Sequence, residues 1–134
     1  KIKTELNDSD TLMIIMETES GKQCHINNSR SATYGYDQRV ELFGSKGMTI
    51  SENRKPHEVR KFNADYVDKQ EPLLNFFIER YQEAYMHEIT AFAEVVINKT
   101  KPSVDFEDGH KALVLAETAY RSIQSGKIES IDNQ

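Results

Sequence analysis

The spacing of apolar and polar residues changes character near residue 70. Before that point the pattern is strand-like. Thr11–Glu17 (TLMIIME) is rich in β-formers, and its apolar run, Leu12 to Met16, is too short for a typical helix. Glu19-Ser-Gly-Lys22 supplies a turn, and Lys22 to Asn28 alternates Cys24 and Ile26 with polar side chains, as a return strand does. The polar bend Asn28–Ser31 leads to Tyr34-Gly-Tyr-Asp37. Arg39–Phe43 then reads as a strand, Gly44-Ser-Lys-Gly47 as a tight connection and Met48–Ser51 as its partner. Pro56–Phe62 is a further candidate strand, with proline at its start where a missing N–H is tolerated. The expectation is an antiparallel meander of about four to six strands.

After residue 70 the period is helical. Leu74, Phe77, Ile78, Tyr81, Tyr85, Ile89, Phe92 and Val96 step by three or four, so they share one face between Pro72 and Lys99, with a firm start near Phe77. Lys99-Thr-Lys-Pro102 ends that helix. A second helix begins near Asp105 or Asp108, whose carboxylates suit the orphan N–H groups of a first turn. It runs through Ala112, Ala116 and Ala119 to Gly126, the C′ residue. Lys127–Ile131 is expected to be a closing strand. Strands followed by helices imply an α+β fold: a mostly antiparallel sheet with two main helices packed on one face and the other face open for oligomer contact.

Composition narrows the function. With 134 residues and 37% hydrophobic content, one domain with a sizeable core is expected. The formal charge is −5 and the 17 basic residues are dispersed, which argues against a nucleic-acid partner. No apolar run is long enough for a bilayer, so no membrane partner is expected. One cysteine, Cys24, excludes an intrachain disulfide and fits a reducing, cytoplasmic setting; alternating with Ile26, it reads as a core thiol.

Few constellations carry chemistry. Gly35, Gly44 and Gly47 do not form a phosphate-binding glycine turn, and no metal-binding His or Cys motif occurs. His87-Glu88 lies on a helix face with no second His one turn away. Asp105, Glu107, Asp108 and His110 resemble a metal cluster in composition, but helix capping accounts for the acids. Arg80-Tyr81 reads as a cation beside an aromatic ring or as a rim residue. In Tyr34-Gly-Tyr-Asp37 the glycine lets the chain turn sharply. Two phenols and a carboxylate on one side can hydrogen-bond a polyol; equally, both rings can cover the edge of the core.

Asn28-Ser-Arg30, Tyr34-Gly-Tyr-Asp-Gln-Arg-Val-Glu41 and Phe43-Gly-Ser-Lys-Gly47 resemble the C-terminal domain of the inositol-type members of the glucose-fructose oxidoreductase/inositol dehydrogenase/rhizopine catabolism family. Arg80-Tyr81, Ala84-Tyr85, Glu88 and Phe92 resemble that family's long helix. Pro102, Asp108-Gly109, Ala112 and Ser122…Gly126 resemble its final one. The likeness extends from about Asp10 to Ile131. It implies that residues 1–134 are a single substrate-binding and oligomerisation domain of a two-domain, NAD-dependent enzyme. That enzyme would oxidise a ring hydroxyl of a polyol to a ketone and form a homo-oligomer through the sheet face. The family's NAD-binding Rossmann domain, its Glu-Lys-Pro lysine and its Asp-x-x-x-His helix have no counterpart here, so the resemblance implies a chain that begins after the catalytic helix and is inactive alone. Tyr36, the second tyrosine of the Tyr-Gly-Tyr, is the implied substrate contact, with Tyr34 the second candidate. The alternative is a non-enzymatic, self-associating sheet module.

Overall fold

The computed structural model describes Glu5 and residues 8–131. In chain order the elements are β1 (Thr11–Glu17), β2 (Gln23–Ser29), β3 (Val40–Gly44), β4 (Gly47–Ser51), α1 (Phe77–Asn98) and α2 (Phe106–Ser125). β1 pairs with β2 and β3 with β4, giving two small antiparallel sheets followed by two helices, an α+β arrangement. The chain divides into two compact units, Lys1–Met13 with Ile26–Met86 and Ile14–His25 with His87–Gln134.

In the first unit, β3 and β4 pair from Val40↔Ser51 to Gly44↔Gly47 around a two-residue turn, Ser45-Lys46. The hairpin follows from β-branched and aromatic residues on either side of a Gly-bounded turn. The base of the β1–β2 hairpin is tied by Arg30 N–H donating to Asp10 C=O at 2.8 Å and by the Arg30–Asp8 ion pair at 2.6 Å. The expected single meander is not formed. Pro56–Phe62 contributes one isolated bridge, Lys61↔Lys69, because the following segment turns back immediately: Asn63 N–H donates to Tyr66 C=O, and the Asn63 side chain accepts from the Asp65 and Tyr66 amides. Charge pairs, Arg60–Asp68 and Lys61–Glu71, hold this excursion where a ladder was expected.

The start of α1 matches the expectation. Glu79 lies in the first turn and reaches back to the Asn75 amide, 3.2 Å away. The helix stops before the proline does its work. Lys99 adopts φ +52°, and the Thr100 amide donates to Val95 C=O, closing the last turn in a Schellman-type cap.

In the second unit, α2 opens on a capping box. The Asp105 side chain accepts from the Glu107 amide at 2.9 Å, and Asp108 accepts from the Asp105 amide at 3.0 Å. Gly126, left-handed at φ +65°, ends the helix by donating to Ser122 C=O. Lys127–Ile131 is not a strand. Serines of the last helical turn engage it locally: Ser122 Oγ donates to Lys127 C=O, the Lys127 amide donates to Ser125 Oγ, and Ser125 Oγ bonds to Glu129. Those polar groups are thereby diverted from a ladder.

The apolar stripes form as read, but they are not covered. Among the described residues no hydrophobic side chain is fully buried, and Thr118 is the buried polar one. The sizeable core expected from length is not seen among the described residues, because a stripe is buried only where a second layer faces it. Cys24, expected as a core thiol, is exposed on β2 for the same reason.

Candidate functional site

The site is built on the segment between β2 and β3 and lies wholly within the first unit. Gly35 has φ +122°, a region side-chain-bearing residues rarely enter. A Cβ placed there would sit 2.7 Å from Leu73 Cβ and 3.0 Å from Leu73 O. The missing side chain is what lets residues 34–36 lie against residues 73–74. That contact is then stitched: the Tyr36 amide donates to Leu74 C=O at 2.9 Å, and the Leu74 amide donates to Arg54 C=O at 3.1 Å.

The turn separates the two tyrosines. Tyr36 is half-buried, with its ring edge-to-face on Tyr81 of α1, centroids 5.7 Å apart at 83°. Tyr81 continues the aromatic row to Tyr85 one turn on, with centroids 6.2 Å apart. Its hydroxyl bonds to the Gln38 carboxamide oxygen. Burial and a hydrogen bond with Tyr36 push the Tyr81 phenol above its ordinary value. Tyr34 is 57% exposed, and its hydroxyl donates to Asp37 Oδ2 at 2.5 Å. So Tyr36 covers α1 and Tyr34 faces outward.

Asp37 is the hub. Besides Tyr34 it accepts from Arg39 Nε at 2.8 Å, Arg39 Nη2 at 2.9 Å and Asn53 Nδ2 at 2.6 Å. The Arg39 guanidinium foremost, then Tyr34 and Asn53, hold its carboxyl far below the usual range, so it is ionised. Asn53 closes the arrangement by accepting from the Gln38 amide at 2.7 Å. The sequence marks Tyr81 only through the Arg80-Tyr81 pair, and it marks neither Gln38 nor Asn53 as a site residue in its own right. Their roles depend on approaches across 15 and 43 positions, which no local motif marks.

Arg80 is half-buried, with its guanidinium 5.5 Å from the Tyr81 ring centroid, the cation-beside-ring reading of the sequence. Its Nε is buried and has no hydrogen-bond partner among the described residues. In the second unit, Asp105 and Asp108 serve as caps and His110 stacks on Phe106, centroids 6.2 Å apart and 4° from parallel. Among the described residues no cluster of three or more His, Cys, Asp or Glu could hold a metal ion. None of their helices is long and apolar enough to cross a membrane.

Among the described residues, two antiparallel sheets and two helices give an α+β arrangement, with the tyrosine loop anchored on the first helix. Residues 2–131 match the family described as "Oxidoreductase family, C-terminal alpha/beta domain", and the chain belongs to that family. It is 41% identical over 127 residues to the inositol 2-dehydrogenase of Rhizobium meliloti (strain 1021), covering 95% of this chain and 38% of that protein. It is 38% identical to the myo-inositol 2-dehydrogenase of Thermotoga maritima over 92% of this chain and 38% of that one. Among solved structures it resembles a myo-inositol dehydrogenase from Corynebacterium glutamicum, with a TM-score of 0.85 and 43% identity over 92% of this chain and 37% of that one. The chain thus spans 38% of the length of these curated relatives.

Proposed function

We propose that this chain is the polyol-facing and self-associating domain of an NAD-dependent inositol-type dehydrogenase, which oxidises a ring hydroxyl to a ketone. The observation that carries the reading is the Tyr34-Gly-Tyr-Asp37 loop, stitched to residue 74, with the Tyr34 phenol on the Asp37 carboxylate and Tyr36 braced on Tyr81. A polyol needs several oriented donors and acceptors, and this loop supplies them on a fixed backbone. The identity to inositol dehydrogenases across this region supports the substrate class.

The described residues do not fit NAD itself. None of their glycines lies between a strand and a helix N-terminus, where a dinucleotide pyrophosphate is held: Gly35 is in a loop, Gly44 and Gly47 flank a hairpin turn, and Gly109 is inside α2. This chain's part in the reaction is then the polyol side. Tyr36, buttressed by Tyr81, orients the ring, and Tyr34 on Asp37 gives a second polar contact. A full-length protein carrying this chain should reduce NAD with myo-inositol, while the isolated chain should not. Tyr36→Phe in the full-length protein should lower kcat/KM about tenfold, the worth of one hydrogen bond to a bound hydroxyl. Failure of the full-length protein to reduce NAD with any inositol isomer would sink the assignment.

Self-association through the β3–β4 sheet belongs to the same proposal. Val40 and Leu42, two apart on β3 and so on one face of it, are 54% and 67% exposed. Sedimentation should show a homo-oligomer that Leu42→Glu dissociates. A monomer at micromolar concentration would remove this part of the reading.

A further inference from the structure

The Tyr34 hydroxyl has only one direction open to it. Among the described residues, every hydrogen-bond partner of the Asp37 carboxylate is a donor: Tyr34 Oη at 2.5 Å, Arg39 Nε at 2.8 Å and Nη2 at 2.9 Å, and Asn53 Nδ2 at 2.6 Å. An ionised carboxylate is acceptor-only. The Tyr34 proton is therefore committed to Asp37, and the phenol oxygen retains only lone pairs. Tyr34 is 57% exposed, so its side chain lies on an open surface. We propose that Tyr34 is a specificity-determining acceptor: it takes a hydrogen bond from a polyol hydroxyl and cannot give one. The proposal rests on the polyol reading above and adds a direction to it. A hydroxyl oxidised to a ketone must pass its proton to a base, and Tyr34, keeping its own proton on Asp37, cannot take it. Tyr34 must then read a ring hydroxyl that the reaction leaves in place, and so contributes to choice of isomer.

Two measurements test this separately from the polyol assignment. The first uses this chain with ¹³Cζ-labelled tyrosine and follows each phenol through a pH titration by NMR. The bond to Asp37, the largest influence on this phenol, raises the Tyr34 value above its ordinary one. Asp37→Asn should bring it back toward the ordinary value. Tyr34 titrating as a free tyrosine in the unmodified chain overturns the donor assignment whatever the ligand. The second uses calorimetry on the full-length protein with myo-inositol and its monodeoxyfluoro analogues. Carbon-bound fluorine keeps the size of a hydroxyl but cannot donate. At one retained ring position the substitution should weaken binding about tenfold, and Tyr34→Phe should abolish that difference. Equal binding of all analogues, or a penalty that persists in Tyr34→Phe, overturns the proposal. No binding of myo-inositol at all overturns the polyol reading and this proposal together, while the titration still reports the Tyr34–Asp37 bond.

Discussion

Replacing Gly35 by alanine will open the loop that carries both tyrosines. Two costs act together. The backbone at φ +122° is strained for any residue with a side chain. The added methyl carbon would also stand 2.7 Å from Leu73 Cβ and 3.0 and 3.2 Å from the Leu73 and Leu74 carbonyl oxygens. Backbone oxygens cannot swing aside as a flexible side chain can, so relief requires residues 34–36 and 73–74 to separate. Strain and overpacking together come to about 3 kcal/mol or more. The first bond lost is the one from the Tyr36 amide to Leu74 C=O. Hydrogen exchange at that amide in the full-length protein should accelerate about a hundredfold, and the Tyr36–Tyr81 ring contact should weaken with it. Unchanged protection at Tyr36 would show that the turn does not depend on glycine.

The second large effect is expected at Asp37. Its carboxylate takes hydrogen bonds from Tyr34, Arg39 and Asn53 and is only 17% exposed. Asp37→Ala leaves those donors to water or to nothing and should cost about 1–2 kcal/mol at neutral pH. Arg39 is 63% exposed, which keeps the figure at the low end for bonds to a charged group. The same group carries a pH signature. Its folded-state pKa is depressed, so the stabilisation is fully present above the ordinary aspartate value of about 4 and is lost as pH falls through the lower folded value. The gap in denaturation free energy between wild type and Asp37→Ala should hold constant from pH 7 down to about 4 and then narrow. A gap that stays constant into strong acid would mean that charge is not what holds the loop.

Local chemistry was the legible part. The α2 capping box and its Gly126 stop, the start of α1, the Ser45-Lys46 turn and the paired strands around it all follow from residues within a few positions of one another. The family resemblance was legible for a related reason: Tyr34–Glu41 and Phe43–Gly47 are contiguous motifs. The readings that failed concerned what lies opposite a residue. Cys24 has the spacing of a core residue and no layer over it, and Lys127–Ile131 has strand composition but engages the serines of α2.

The sequence alone determined the α+β class and the family, because each is written in short-range pattern. Tertiary structure alone decided that Tyr36 packs on α1 while Tyr34 turns outward onto Asp37, and that Asn53 and Gln38 join them. A hydrogen bond's direction depends on which group faces it. Here the facing groups come from distant stretches of chain, brought together where a glycine leaves room for the backbone of Leu73.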